Sequence, residues 1–340
     1  MIDCKLGIGP MSLNCINAVV EYANQHEVSL MLIASRRQIE CQDFGPGYVA
    51  NMTTDDFARY VKKVDAKGKV LLCRDHGGPY QGYKEEGLHP DDAFQRSLHS
   101  FREDVEAGFD LIHVDCCFHR GDIREATSEI LNEINAFAKA KNRKIFFEVG
   151  TEENVGVSSD PNKFRQELEF IQDIVQPTFV VGQSGSLIKE IFQIGHFDYP
   201  AVQHLTEIAH QQNVLFKEHN ADYLDNMALN MRKAAGVDAI NIAPEFGVLE
   251  TRFVTTMANL LGLQTELNNF RKVVLEQRRY EKWLYGKADD DLKVMMSGHY
   301  SFTSDEYNDL FNRLKEIYPL EKELNEHFFR LINHYLKGIE

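Results

Sequence analysis

The sequence predicts an α/β protein built as a TIM (β/α)8 barrel with a C-terminal helical extension. Eight short apolar runs recur over about 250 residues, and amphipathic helical patterns lie between them. Each run is almost continuously apolar, as is typical of parallel strands that helices cover from outside. The predicted strands are residues 5–10, 29–35, 69–75, 111–117, 144–150, 179–185, 214–220 and 239–245.

An open doubly wound sheet would also alternate strands with helices. It usually carries a glycine-rich phosphate turn after its first strand, and the first turn here, GIGPMSLN, lacks that pattern. We therefore expect the barrel to span residues 1–262. Residues 263–340 read as helix only and are expected to pack on the barrel or a partner subunit, or to form a lid over one barrel end.

Local signals place the intervening helices. Thr54 is followed by two first-turn acids, and the helical pattern stops at Gly68. Pro90 opens the next helix, which Gly108 ends. Two further apolar stripes, around Ile130 and around Leu168, complete the alternation of strand and helix.

Composition limits the classes of function. The 340 residues carry a formal net charge of −15, which argues against nucleic acid or an anionic membrane surface as the main partner. The N-terminus lacks a signal-peptide pattern, and no run reaches the roughly 18 apolar residues of a membrane span. We expect a cytoplasmic protein whose six cysteines are reduced thiols.

The segment CRDHGGPY, residues 73–80, places a carboxylate beside an imidazole where a strand ends. In barrels of this type the reacting groups stand at the carboxyl ends of the strands. Asp75 is the best candidate for a general base, and His76 and His219, which end strands on opposite sides of the barrel, for metal ligands. The alternative is that Asp75 caps a turn and each histidine is a hydrogen-bonded structural residue.

Other polar residues at the strand ends complete the predicted site. Asp115 and Glu152 join Asp75 as candidate catalytic groups, and Glu152 is also a candidate metal ligand. The loop 182–186 could cradle a phosphate or be a plain turn. Positive charge at the mouth from Arg36, Arg37 and Arg74 indicates an anionic substrate, unless these are surface arginines paired with the abundant acids. The candidate substrate-binding residues are Ser35, Arg36, Gln38, Arg74, Gln183, Ser184, Ser186, Asn220, Asp222, Asn241 and Glu245.

The motifs ASRRQIECQDFGPGYVANMT, RDHGGP, HVDCCF, EVGTEEN, VVGQSG and KEHNADY follow one another in this order. The series resembles the tagatose-bisphosphate aldolase class II accessory (non-catalytic) subunit family, also described as tagatose-6-phosphate kinase-like. That family is related to zinc-dependent class II sugar aldolases. The resemblance covers nearly the whole chain.

The resemblance implies roles for individual residues. Asp75 falls where the class II aldolases keep their proton-transferring Asp, and His76 and His219 where they keep two zinc ligands. Asn241 lies near their substrate-binding Asn. At the sixth strand, where those enzymes carry a third His ligand, this chain has Gln183, so Glu152, Asp115 or Gln183 would have to complete a zinc site.

We therefore expect a metal-dependent enzyme, with zinc or another divalent metal, that performs aldol cleavage or condensation, or epimerisation, on a phosphorylated or anionic sugar. A homo-oligomer is expected. The main alternative is a non-catalytic subunit that stabilises a separate catalytic aldolase polypeptide. A sugar-phosphate kinase is a third hypothesis. It is disfavoured because the sequence has no P-loop or kinase-type glycine loop.

Overall fold

Eight parallel strands close into a barrel, as the sequence predicts. The structure, a computed structural model, describes residue 2, residues 4–150 and residues 156–340. The barrel strands, in spatial order, are β1 (Leu6–Ile8), β2 (Leu30–Ser35), β3 (Val70–Asp75), β4 (Leu111–Asp115), β5 (Phe146–Gly150), β6 (Phe179–Val181), β9 (Leu215–Glu218) and β10 (Ala239–Ile242). The last strand pairs with the first, which completes the ring.

Helices follow the barrel strands and cover the sheet from outside. They are α1 (Leu13–His26), α2 (Thr54–Val64), α3 (Pro90–Ala107), α4 (Ile123–Ala140), α5 (Pro161–Gln172), α6 (Tyr199–Gln211), α7 (Asn226–Ala234) and α8 (Pro244–Leu260). The predicted ends of α3 are confirmed, because Pro90 occupies its first turn and Gly108, with φ 95°, ends it. Helix α2 begins with a capping box between Thr53 and Asp56.

Side chains alternate along each strand, so one set faces the barrel interior and the other set faces the surrounding helices. Met31 and Ile33 of β2 belong to a small cluster inside the barrel, with Cys73, Leu111 and Phe179. Leu30, Leu32 and Ala34 of the same strand instead pack in the large outer core. The same rule decides which polar residues near the strand ends can reach the barrel interior.

The strands end earlier than the apolar runs suggest. Strands β4, β6 and β9 stop at Asp115, Val181 and Glu218, whereas the sequence predicted ends at residues 117, 185 and 220. A short antiparallel hairpin that the sequence did not predict, β7 (Ile188–Lys189) with β8 (Phe192–Gln193), lies between β6 and α6. Its strands are two residues each, too short for a recognisable period.

The C-terminal part contains α9 (Gln264–Gln277), α10 (Asp290–Ser297), α11 (Asp305–Ile317) and α12 (Leu320–Ile339). The large outer core includes residues from both parts of the chain, such as Val19 of α1 and Phe328 of α12. The helical pattern predicted for residues 263–340 is interrupted after α9, because Arg278 adopts φ 56° and only a 3₁₀ turn, Glu281–Trp283, follows. The proposed division at residue 262 stays a prediction.

Among the described residues, no helix has both the length and the apolar character needed to cross a membrane.

Candidate active site

Several buried polar side chains meet at the carboxyl-end rim of the barrel. Asp75, His113, Glu148 and Lys217 occupy alternate, inward positions of their strands, and all four are at least nine-tenths buried. A pocket of about 670 Å³, which includes space open to solvent, lies over them. Its lining includes His76, His113, Asp115, Gln183, Ser184, Ser186, His219 and Asn220.

Asp75, His76, His113 and His219 form what we call the imidazole cluster. One possible ligand atom of each residue lies within 4.8 Å of the others. His76 Nε2 is 3.4 Å from His219 Nδ1, and Asp75 Oδ1 is 3.5 Å from His113 Nδ1 and 3.6 Å from His219 Nδ1. The cluster therefore concentrates three imidazoles and one carboxylate at a single point.

Two of the three imidazoles are oriented by carboxylates. His76 Nδ1 hydrogen-bonds to Asp115 Oδ2 at 2.7 Å, and His219 Nε2 to Glu148 Oε1 at 2.6 Å. The Asn241 amide also lies 3.0 Å from His219 Nε2. The other ring nitrogen of each of these two histidines therefore faces the cluster. Metal-binding histidines in proteins commonly have this arrangement, in which the second ring nitrogen is hydrogen-bonded to a carboxylate.

The backbone after β3 makes this orientation possible. His76 adopts φ 47°, and its N–H donates to His113 Nδ1 at 3.3 Å. A Cβ on Gly78 would lie 1.8 Å from the Asp115 carbonyl oxygen, and one on Gly77 would lie 2.2 Å from the Phe101 ring. The Gly-Gly pair therefore allows the loop after β3 to pack closely against Phe101 of α3 and the end of β4, which brings His76 to Asp115.

Lys217 is a buried cation that pairs with Glu148. It is fully buried, and its Nζ lies 2.7 Å from Glu148 Oε2 and 5.0 Å from the centre of the Phe179 ring. Because Glu148 uses its other oxygen for His219, one carboxylate links the buried cation to the cluster. Lys217 thereby keeps Glu148 ionised and able to accept from the imidazole.

The pKa directions follow from this charge balance. Burial acts to raise the pKa of Asp75, but His76, His219 and His113 outweigh it, so the pKa lies below its ordinary value. For His76, burial is outweighed by Asp75 and Asp115, which raise its pKa to about 9. Burial lowers the pKa of His219 despite the nearby carboxylates. The pKa of Glu148 is low because Lys217 and the histidines overcome its burial.

The donor set of the cluster fits a divalent transition metal. Imidazole nitrogens suit zinc, copper, iron and nickel, and zinc accepts three histidines with a fourth position for oxygen. In a tetrahedral zinc site the ligand atoms are about 3.3–3.4 Å apart. Three separations in the cluster are 3.4, 3.5 and 3.6 Å, and the others are at most 4.8 Å. Two buried atoms, Asp75 Oδ1 and His113 Nε2, also have no hydrogen-bond partner among the described residues.

His113 is a member of the cluster that sequence reasoning missed. The expectation that site residues end strands selects Asp115 of the fourth predicted strand, whereas His113 lies inside the apolar run of that strand. The available signal was the pattern His-x-Asp, because residues two apart on a strand share a face. His113 supplies the third imidazole that Gln183 does not.

The loop after β6 lines the pocket, but several of its polar groups form hydrogen bonds with other groups of the protein. Gln183 N–H donates to Ser159 Oγ at 2.8 Å, and Ser186 N–H to Ser184 Oγ at 3.4 Å. Ser186 Oγ also bonds to Glu218, which Arg232 holds by an ion pair of 3.0 Å. The positions of Gln183, Ser184 and Ser186 are compatible with substrate contact, and the phosphate cradle stays a prediction.

Arg36, Gln38 and Arg74 do not reach the pocket. Arg36 is fully buried and pairs with Glu40 and Glu85. Gln38 accepts from Ser35 N–H at 2.9 Å.

Arg74 points outward from β3 and makes a bidentate pair with Asp104 of α3, at 2.8 and 2.5 Å. The expectation that Arg36 and Arg74 bring free positive charge to the mouth is therefore corrected: strand alternation and ion pairing turn both into buried structural residues.

The polar residues of the loop after β9 and of the start of α8 also differ in whether they reach the pocket. Asn220, with φ 57°, lines the pocket, whereas Asp222 and Glu245 do not. Asp222 Oδ1 accepts from the N–H groups of Ala243 and Glu245 at 3.0 and 2.9 Å. Glu245 accepts from Tyr223 N–H and the Tyr335 hydroxyl. These contacts brace the loop against α8 and α12 and do not place either carboxylate in the pocket.

The remaining predicted residues lie in three places. Asp115 is close to the cluster, but its oxygens serve His76, Gln81 and Cys117 N–H, so it positions other groups. Ser35 ends β2 beside a second pocket. Glu152 lies outside the described residues.

One family model matches the chain: residues 10–155 match the family of D-tagatose-1,6-bisphosphate aldolase subunit GatZ/KbaZ-like proteins. This match confirms the resemblance for that part of the sequence, which includes β2, β3, β4 and β5. A search of curated protein sequences found no match.

Solved structures share the fold at low sequence identity. A probable tagatose 6-phosphate kinase from Sinorhizobium meliloti 1021 is 18% identical, with TM-score 0.76 over 98% of this chain and 92% of its own. The fructuronate-tagaturonate epimerase UxaE from Cohnella laeviribosi is 12% identical, with TM-score 0.66 over 99% and 81%. A fructose-bisphosphate aldolase from Campylobacter jejuni is 13% identical, with TM-score 0.59 over 98% and 89%.

Proposed function

Because residues 10–155 match the family of tagatose-bisphosphate aldolase subunits, we propose that this protein is a metal-dependent carbohydrate enzyme of the class II aldolase type. Its reaction would be aldol cleavage or condensation, or epimerisation, of a phosphorylated or anionic sugar. The observation that carries the proposal is the imidazole cluster, in which three histidines and Asp75 converge at the rim where barrel enzymes react.

His76, His113 and His219 are the residues that would hold the metal, with zinc the best fit to the donor set. A bound divalent cation would act as a Lewis acid on the substrate carbonyl oxygen. Asp115 and Glu148 hold the rings of His76 and His219 in the required orientation. The site is thus supported by an outer layer of carboxylates as well as by its inner ligands.

Asp75 is the group that would move the proton. Its Oδ1 is buried and has no hydrogen-bond partner among the described residues, and its low pKa keeps it ionised at neutral pH. It could take a proton from a substrate hydroxyl, which aldol cleavage requires, or from the carbon beside the carbonyl, which epimerisation requires. Glu152 stays a second candidate for catalysis and metal binding.

Aldol cleavage and epimerisation use the same parts of the site, and the following measurements distinguish them. The purified protein should first be analysed for zinc and other divalent metals. Turnover should then be screened with ketose phosphates and uronates.

The variant D75N retains three imidazoles, so it should keep most of the metal while turnover falls about 100-fold or more. Undiminished turnover by D75N would show that Asp75 is not the base, and absence of any bound metal from the native protein would refute metal dependence.

A non-catalytic subunit is the second candidate function, and the family name, which describes an aldolase subunit, favours it. Such a subunit would stabilise a separate catalytic polypeptide without turning over sugar. Co-purification with a second aldolase polypeptide that is unstable alone, together with no turnover by this chain, would support this candidate. An active, metal-replete assembly of this chain alone would exclude it.

A further inference from the structure

A second pocket, which we call the cationic pocket, lies beside the imidazole cluster above the end of β2. It has a volume of about 750 Å³. Two parts of the chain that are far apart in sequence build it: the loops after β2 and β3, and the segments on either side of α10. Its lining includes Arg37, Arg279 and Lys282, together with Ser35, Tyr83 and Tyr300.

Three of the four cations that line this pocket have no acidic partner among the described residues. Within the described ranges, no carboxylate forms an ion pair with Arg37, Arg279 or Lys282, although the whole protein carries a net charge of −15. Arg278 and Glu281 also line the pocket, but they pair with each other and so add no net charge. An unneutralised group of three positive charges in an acidic protein indicates a site for an anion that comes from solution.

Neutral groups hold these cations in place and leave donors free. Arg279 Nη1 donates to the Tyr83 hydroxyl at 3.1 Å, and Arg37 Nε donates to the Gln81 carbonyl at 3.3 Å. Lys282 Nζ lies 5.3 Å from the centre of the Tyr300 ring. Because a guanidinium has five N–H donors, each arginine keeps several for a ligand.

The segment that carries Arg279 and Lys282 is anchored to the barrel. The N–H of Glu190, beside the β7–β8 hairpin, donates to the Trp283 carbonyl at 2.7 Å, and Lys189 Nζ donates to the Lys282 carbonyl at 3.0 Å. Partial burial, with the charges of Arg37 and Arg279, lowers the pKa of Lys282 to about 8. The three charges are thus kept together despite their mutual repulsion, which a bound anion would relieve.

We propose that the cationic pocket binds the phosphate group of a phosphorylated sugar whose carbonyl end lies at the imidazole cluster. The placement rests on the register of β2 and β3, in which Ser35 pairs with Asp75. Neighbouring strands are about 4.8 Å apart, so Ser35, which lines the cationic pocket, lies beside Asp75 of the imidazole cluster. That the carbonyl end of the same sugar lies at the imidazole cluster rests on the proposed function, whereas phosphate binding in the cationic pocket does not.

The charge of the pocket favours phosphate over carboxylate. A phosphate monoester carries about −1.5 to −2 charges at pH 7 and three acceptor oxygens, whereas a uronate carries one charge. Two guanidinium groups and one ammonium group match the dianion and supply several charge-assisted hydrogen bonds. The C-terminal segment therefore supplies part of the substrate specificity in this proposal.

Calorimetric binding of inorganic phosphate, fructose 6-phosphate, fructose and glucuronate tests the proposal on the full chain. Each ligand is titrated into metal-depleted and zinc-loaded protein. R279Q and K282M should each weaken binding of phosphate and of fructose 6-phosphate by about tenfold, the effect of losing one charge-assisted hydrogen bond. K287Q, which removes an exposed lysine outside the pocket, should bind them as the native protein does.

The outcomes separate this proposal from the proposed function. Equal phosphate affinity in the native protein, R279Q and K282M would overturn the cationic pocket even if zinc binds and sugars turn over. The same holds if glucuronate, and not the phosphates, depends on Arg279 and Lys282. Loss of phosphate affinity in both variants of a protein that binds no zinc would retain the pocket and reject the metal-dependent function.

Discussion

His219 Nε2 lies 2.6 Å from Glu148 Oε1, and the other oxygen of Glu148 lies 2.7 Å from Lys217 Nζ. All three side chains are at least nine-tenths buried. The carboxylate therefore has two tasks: it fixes which ring nitrogen of His219 faces the cluster, and it neutralises a lysine that would otherwise be buried alone.

The first prediction concerns this carboxylate. E148Q keeps the size of the side chain but removes the charge that orients His219, so we expect zinc affinity to fall about 10- to 100-fold. The affinity can be measured by competition with a chromogenic chelator. A surface change, E167Q, which affects an ion pair with Arg124, is the matched control and should leave affinity unchanged.

E148Q also leaves the buried Lys217 without its counter-charge, so the free energy of unfolding of this variant should fall. The double variant E148Q/K217M removes both charges and should regain much of the lost free energy of unfolding. It should not regain zinc affinity. If stability and affinity recovered together, the loss of affinity would be a consequence of unfolding and the orienting role of Glu148 would be rejected.

The second prediction concerns the third imidazole. H113Q removes one of the three nitrogen ligands, and we expect the bound zinc of the purified protein to fall below about one-tenth of its native content. Metal analysis after dialysis measures this directly. H119Q changes a histidine after the same strand that lies outside the cluster, and should retain its zinc. Full zinc occupancy in H113Q would mean that His113 is not a ligand.

The third prediction concerns the arginine that the sequence placed in the substrate site. R74M leaves the buried Asp104 without its partner, so the free energy of unfolding should fall by about 3–5 kcal/mol. Urea unfolding measures the loss. The exposed Arg59, paired with Asp55 and Asp56, provides the control R59M, which should be nearly as stable as the native protein.

For R74M that remains folded, binding of sugar phosphates should be close to native. Weak binding with unchanged stability would contradict the structural role and would return Arg74 to the substrate site.

The fourth prediction concerns pH. Burial, with the nearby charge of Glu245, raises the pKa of Asp222 to about 8, against about 4 in an unfolded chain. The unfolded state therefore releases this proton first as the pH rises. The stability contributed by the protonated group is complete below pH 4 and is lost as the pH passes through 8.

D222N does not titrate, and its Oδ1 can still accept from Ala243 and Glu245 N–H. The free energy of unfolding of D222N relative to the native protein should thus rise between pH 4 and pH 8, by at most about 1.4 kcal/mol per pH unit. Urea unfolding of metal-depleted protein at several pH values measures the difference. A constant difference over this range would show that Asp222 is ionised in the folded state.

Local sequence patterns were sufficient to predict the barrel and part of the candidate site. Eight apolar runs of strand length, separated by amphipathic helices, leave few alternatives to a closed parallel sheet. Because the carboxyl ends of parallel strands meet at one rim, residues that end strands, such as His76 and His219, could be expected to converge. Pro90 and Gly108 mark a helix for reasons that act within a single turn.

What the sequence by itself determined was therefore the order of the elements and the rim at which polar residues collect. Only the tertiary structure decided which side chains face inward. Arg74 and Asp75 are adjacent, yet one pairs with α3 and the other joins the cluster, while His113 enters the site from the middle of a strand. The physical reason is that strand side chains alternate between two faces, and closure of the barrel determines which face lies inside.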